Sequence, residues 1–158
     1  MRSRPAILRT LAADPVYHDV MVTKLINRVM FSGKKTVAQK EVYKALELLK
    51  QKTGKEALVA FTEALENIKP QMEVRARRIG GAAYQVPSPV RGTRRDSLAI
   101  RWLITSAKAR SSSEFHTFAE KLVAELTDAL NNAGGAVKKK VDTHRMAEAN
   151  KAFAHFRW

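Results

Sequence analysis

Apolar residues recur at helical spacing in one stretch after another of this sequence, and that recurrence limits the fold more than any other feature. Val22, Leu25, Ile26 and Val29 mark one face of a helix over 18–31, which Ser32-Gly33 ends. Thr36 followed by Gln39 has the spacing of a capping box and opens a second helix, lined by Val42, Ala45, Leu46 and Leu49 and broken at Gly54. Leu58, Phe61, Leu65 and Ile68 define a third helix that stops at Pro70, because the residue before proline disfavours the helical region. SLAIRWLITSAKAR (97–110) is apolar on nearly every side and predicts a central, mostly buried helix. After a break at Ser111 to Ser113, Phe115, Ala119, Leu122, Leu126 and Ala129 mark a fifth helix, closed by Asn131 to Gly135. A sixth begins near Ala136 and runs into the 140s or beyond. The pattern predicts a mainly α fold, a body of about six helices in one domain over 1–158, with every apolar stripe serving as core.

One segment breaks the helical period. MEVRARRI and AAYQVPS flank Gly80-Gly81, and two short runs around a glycine pair predict a β-hairpin at 72–89, because primed turns need positive φ. With the glycines as the turn, Ile79 opposes Ala82, Arg77 opposes Tyr84, and Arg75 opposes Val86. One face then carries Arg75, Arg77, Tyr84 and Val86, and Arg78 falls on the other. Guanidinium groups beside an aromatic ring suit phosphates and unpaired bases alike. A two-stranded ribbon is marginal alone in water, so it lies on the helices or grips a partner. The protruding arm is the expectation here, since the helices offer no strand partner and Pro87 and Pro89 keep the edge from extending.

Charge narrows the class of partner. The chain has 29 Lys+Arg against 15 Asp+Glu, a net charge of +14, which a polyanion relieves. Residues 1–17 form a basic tail with Arg2, Arg4 and Arg9, and 71–110 carry nine bases, eight of them arginine, against two acids. Arginine favours phosphate because its planar fork pairs with two oxygens and stacks on bases. Thr93 with Asp96 reads as a helix cap that places Arg94 and Arg95 in a first turn, where cations oppose the helix dipole and an incoming phosphate would meet them. The nearby acid is Asp96 alone, so an intramolecular explanation is weak; solvated surface arginines are the alternative. Lys34-Lys35 repeat the pattern more mildly, and Lys138, Lys139 and Lys140 are either a basic patch or a solvated helix end. Residues 111–133 run the other way, with Glu114, Glu120, Glu125 and Asp128 against Lys121, a side turned away from the polymer.

Catalytic and metal signatures are scarce. No cysteine occurs, which removes disulfides and thiolate metal sites. SGKKT lacks the first glycine of a P-loop, the four histidines lack HExxH spacing, and no GxSxG is present. No cofactor, metal or small-molecule substrate is expected, and no run is long enough for a membrane span. The arginine-rich start is like that of a transit peptide, but Asp14-Pro15 comes too soon; a mature cytoplasmic protein is expected.

Longer strings carry a resemblance. ADPVY, SGKKT, PQMEVRARRIGGAAYQVPSPVRGTRRDSLAIRWL and GGAVKKKVDTHRMAEANKAFAHFRW resemble, over nearly the whole chain, the family of the seventh small-subunit ribosomal protein of bacterial type. The resemblance implies a non-enzymatic ribosomal protein with a helical body and a β-ribbon. It also implies binding to the 3′ major domain of 16S rRNA, nucleation of head assembly, and a place beside the exit-site tRNA and the mRNA exit path. Neighbouring head proteins and the eleventh small-subunit protein are implied partners. By position, Arg75, Arg77 and Arg78 would belong to the ribbon's RNA grip, and Lys34, Lys35, Arg91, Arg94 and Arg95 would contact rRNA. The same assignment extends to Arg2, Arg4, Arg9, Lys108, Arg110, Lys138, Lys139, Lys140 and Arg145. Gly80, Gly81, Tyr84 and Gln85 would lie at or near the tip, facing tRNA and mRNA. Val141 stands where many relatives have an acid, and Gly92-Thr93 where proline is common. An RNA-processing enzyme and a general basic nucleic-acid-binding protein are the competing readings.

Overall fold

The computed structural model describes residues 10–156, so the predicted contacts of Arg2, Arg4 and Arg9 lie outside the described residues. Six α-helices follow in order: α1 (Val20–Val29), α2 (Lys35–Thr53), α3 (Ala57–Ile68), α4 (Thr93–Ala109), α5 (Phe118–Leu130) and α6 (Gly134–Ala149). Between α3 and α4 lies an antiparallel hairpin, β1 (Met72–Ile79) and β2 (Ala82–Pro89), and a 3-10 helix spans Lys151–Phe156. The mainly helical prediction with one hairpin holds.

The apolar stripes are the core. Leu25, Ile26, Leu46, Leu49, Phe61, Leu65, Ile68, Leu103, Leu122 and Leu126 are all fully buried and belong to one cluster. The fifth helix is its centre, packed against α2, α3, α4 and α6. That position explains why α5 buries Ala119, Leu122, Val123, Leu126 and Ala129, a continuous stripe along one face. The segment before α1 is anchored by Asp14, 2 % exposed, whose carboxylate accepts hydrogen bonds from the amides of Val16 and Tyr17 at 3.1 Å and from the Tyr43 hydroxyl at 2.8 Å. Burial, and then this hydrogen bond to Asp14, push the Tyr43 phenol up to about 12.

Helix starts differ from expectation in three places. The second helix begins at Lys35 behind Lys34, with no side-chain cap, so Thr36 is already inside it. The fourth begins at Thr93 behind Gly92, again with no side-chain cap. In both cases glycine geometry turns the chain directly into the helix, Gly33 at φ 75° and Gly92 at φ 54°, and no capping hydroxyl is positioned. The fully formed capping box is Thr117 with Glu120, at the head of α5, which leaves Phe115 outside that helix. Helix α4 is also less enclosed than its composition implies. Ser97, Arg101, Thr105 and Lys108 form an exposed stripe opposite Leu98, Ile100, Leu103 and Ile104.

The hairpin has the anticipated register, Ile79 to Ala82, Arg77 to Tyr84 and Arg75 to Val86. Gly80 and Gly81 make the turn at φ 56° and 90°. Its root is seated rather than free. Strand β1 packs on α6, and β2 packs on the 3-10 helix and on α6. Val86 and Pro87 are both buried although strand alternation points them to opposite faces, so both sides of the root are covered. The turn end, from Gly80 to Ala83, is exposed.

Candidate nucleic-acid interface

Glu73, the single acid of the hairpin, organises the arginines around it. Its side chain is 8 % exposed, while those of Arg75 and Arg94 are 51 % and 49 % exposed. Arg94 donates from Nε to Oε1 at 2.9 Å and to Oε2 at 2.8 Å, and Arg75 donates from Nε to Oε1. Burial alone would raise the Glu73 carboxyl, but the hydrogen bonds from Arg94 and Arg75 outweigh it and hold the group below its ordinary range. Its hydrogen bond to Glu73 holds the Arg94 guanidinium even more firmly protonated. One carboxylate thus fixes two cations at the junction of β1 and α4, with about half of each arginine side chain exposed. This corrects the expectation that Arg94 lacks an internal partner. Asp96, the acid assigned to that role, instead joins Lys69 at 3.0 Å and Lys24 at 3.7 Å.

Beside this junction, Arg75, Arg77, Ser88, Pro89 and Arg91 line an open groove of about 470 Å³. Ser88 Oγ and Arg95 Nε are buried polar atoms with no hydrogen-bond partner among the described residues. Such orphaned buried polar atoms are uncommon in folded proteins. The first turn of α4, which carries Arg94 and Arg95, has no side-chain cap, and the Arg95 amide donates to the Gly92 carbonyl at 3.1 Å.

The remaining predicted residues divide. Lys34 and Lys35 are exposed at the turn before α2, and Lys34 shares a groove with Lys108 of α4. Arg78, Gln85, Arg91, Lys138, Lys139 and Arg145 are exposed. Lys140 is committed inside the protein, donating to the carbonyl of Asn67 at 2.8 Å. Arg110 is likewise engaged: it bonds Glu125 at 2.7 Å and also Asp128, with Phe115 stacked 5.8 Å away. Glu125 is 1 % exposed and also accepts from the amide of Ala136 at 2.8 Å, so the acidic helix contributes a structural node that caps α6. The acids of 111–133 are therefore only partly an outward face.

Tyr84 is not the open stacking plate that its place in the ribbon suggests. Its ring packs 5.3 Å from Phe153 and 5.6 Å from Phe156, centroid to centroid. The tip is formed by Gly80 and Gly81, with Gln85 exposed farther along β2. At the hairpin's root, His144 Nε2 accepts a hydrogen bond from the amide of Gln71 at 3.0 Å. Burial, and then the nearby Lys140, hold the imidazole below its ordinary value, which keeps it neutral and able to accept. Sequence reasoning passed over the links from Glu73 to Arg94 and from His144 to Gln71 because the partners are distant in the chain.

No group of histidines and acids among the described residues could hold a metal ion, and no helix among them is long and apolar enough to cross a membrane. A helical body bearing a ribbon whose arginines are clamped by a buried acid defines a basic, mainly helical scaffold protein. Comparison makes the class specific. Residues 1–151 match the family model described as ribosomal protein S7p/S5e. The chain is 58 % identical over 150 residues to small ribosomal subunit protein uS7 of Moorella thermoacetica, covering 95 % of this chain and 94 % of that one. It is 56 % identical to the uS7 protein of Thermosipho melanesiensis over 158 residues, all of both chains. The uS7 protein of Lawsonia intracellularis is 57 % identical over 157 residues, 99 % of each. This chain belongs to the ribosomal protein S7 family, and as a ribosomal protein it is not an enzyme.

Proposed function

We propose that this chain is a structural component of the small ribosomal subunit, acting as one RNA-binding unit on the 3′ major domain of 16S rRNA and nucleating assembly of the subunit head. The observation that carries the reading is the Glu73 junction, where Arg75 and Arg94 are held half-exposed beside the Arg77/Arg91 groove. Fixing a guanidinium before binding lowers the ordering cost of each phosphate contact. The names of the relatives, small ribosomal subunit protein uS7, support the same assignment. On this reading the hairpin tip faces the exit-site tRNA and the mRNA exit path, while head proteins and the eleventh small-subunit protein are neighbours. The site of action is the ribosome.

The test is binding to the folded 3′ major domain of 16S rRNA against an equal mass of duplex DNA across a salt series. The Arg75/Arg77/Arg78 triple alanine variant runs in parallel. The expected result is a preference for the rRNA that survives moderate salt, with the triple variant weaker and its log-log salt slope flatter by up to about 2–3. Equal affinity for both polymers, vanishing together as salt rises, would show a generic polycation.

A further inference from the structure

We propose that Phe31, at the corner between α1 and α2, is a stacking platform for an unpaired RNA base; the proposal rests on the RNA-binding reading above and adds an aromatic contact beside Lys34 and Lys108. Phe31 is 80 % exposed, the most exposed of the large apolar side chains among the described residues. Val37, on the first turn of α2, is 56 % exposed. Nothing in the fold gains from displaying an aromatic ring so completely, because packing it would remove apolar area from water.

The corner holds the ring in place. Met30 ends α1 at φ −50° and ψ 132°, and the next two residues after Phe31 both have positive φ, Ser32 at 50° and Gly33 at 75°. Ser32 adopts a region that L residues with a Cβ enter at a cost. The Phe31 carbonyl accepts from the Lys34 amide at 3.0 Å, and the Gly33 carbonyl from the Lys35 amide at 2.8 Å. Phe31 is therefore presented by a hydrogen-bonded turn rather than by a loose loop.

Its surroundings select the ligand. Phe31, Val29, Val37 and Phe118 line an apolar groove of about 250 Å³, at whose edge stand Lys34 and Lys108. The acid in this groove, Glu41, is occupied by the Ala119 amide at 3.0 Å, where it caps α5. An aromatic ring flanked by lysines matches a nucleotide, whose base stacks while its phosphate meets the ammonium groups. Lysine is depleted at protein–protein interfaces, so charge complementarity favours RNA over an apolar protein partner.

The experiment measures affinity for the folded 3′ major domain of 16S rRNA across a salt series for wild type and for Phe31→Ala, Phe31→Leu and Phe31→Trp. A Lys34→Ala/Lys108→Ala double variant is included. Alanine and leucine should both weaken binding about tenfold with an unchanged salt slope, since a stacked base releases no counterion, and tryptophan should restore it. The lysine variant should flatten the slope instead. Ultraviolet crosslinking of the wild-type complex should join a nucleotide to the peptide containing Phe31. Wild-type affinity in Phe31→Ala at every salt concentration, or full activity in Phe31→Leu, would overturn the platform. If Phe31→Ala bound RNA normally but lost a ribosomal protein partner, the corner would be a protein contact. Failure of the wild-type protein to prefer the rRNA over duplex DNA would instead remove the RNA-binding reading itself.

Discussion

Arg94 engages both carboxylate oxygens of Glu73, although 21 positions separate them, and thereby ties the first turn of α4 to the first strand of the hairpin. Two arginines are immobilised through one buried acid. The protein spends a negative charge inside its densest positive zone, which makes sense when orientation of the cations matters more than their number.

Glu73→Gln should therefore have opposite effects on two kinds of binding. Losing the charge should raise affinity for duplex DNA, while loosening Arg75 and Arg94 should lower the preference for folded rRNA. Stability should fall by about 1–3 kcal/mol, below the usual cost of breaking a buried pair because both arginines reach solvent. The acid limb should change as well. With its folded pKa depressed, Glu73 contributes stability that is present above the unfolded carboxylate value, about 4.3, and lost as pH falls through the folded value. Thermal unfolding between pH 6 and pH 3 should show a shallower decline in the variant.

His144 gives a second pH-dependent test. Its folded pKa is depressed, so the unfolded chain takes up the proton first. Stability is full above the unfolded histidine value, about 6.5, and falls as pH drops below it. His144→Asn should lose less stability than wild type between pH 7.5 and pH 5. The other three histidines are common to both proteins, so the difference between the curves isolates this group.

The Tyr84 contact with Phe153 can be weighed directly. A double-mutant cycle of Tyr84→Ala and Phe153→Ala should give a coupling of about 0.5–1.5 kcal/mol in thermal unfolding. Phe31→Ala, a truncation of an exposed ring, should leave the unfolding midpoint nearly unchanged in the same assay. Additive effects at Tyr84 and Phe153 would mean that the rings touch without energetic consequence.

Glu125→Ala should be the most damaging of these changes, by about 3–5 kcal/mol, because it leaves Arg110 short of a partner and uncaps α6 at Ala136. Gly134→Ala should also destabilise, by about 1–3 kcal/mol, since φ is 89° there and a Cβ would lie 3.0 Å from Asp128 Cβ and 3.1 Å from Glu125 Oε1. Chemical denaturation of each variant measures both.

The hairpin was legible down to its register because period-two alternation and a glycine pair are local signals, needing nothing from the rest of the chain. Helix stripes were legible for the same reason. What escaped depends on distance. The link from Glu73 to Arg94 crosses the whole hairpin, and that from Gln71 to His144 spans 73 residues. Composition also misled at Tyr84 and Arg110, whose residue types suit RNA but whose neighbours are Phe153 and Phe156, and Glu125 and Asp128. At Thr36 the capping spacing is present, yet the Ser32-Gly33 corner starts the helix two residues too early for it to serve. The TFAE box at Thr117 to Glu120 is a local signal of the same kind, and it places the start of α5 beyond Phe115.

The clasp of Tyr84 by Phe153 and Phe156 also sets an order of events. A chain is made from its N-terminus, so α1 to α5 can bury their shared core before the ribbon's supports exist. Both surfaces on which the hairpin rests, α6 and the 3-10 helix, come after it in the chain. A two-stranded ribbon alone is marginal. The arm that carries the arginines therefore gains its supports last, and its final shape waits on the α6 and 3-10 segments that follow it in the chain.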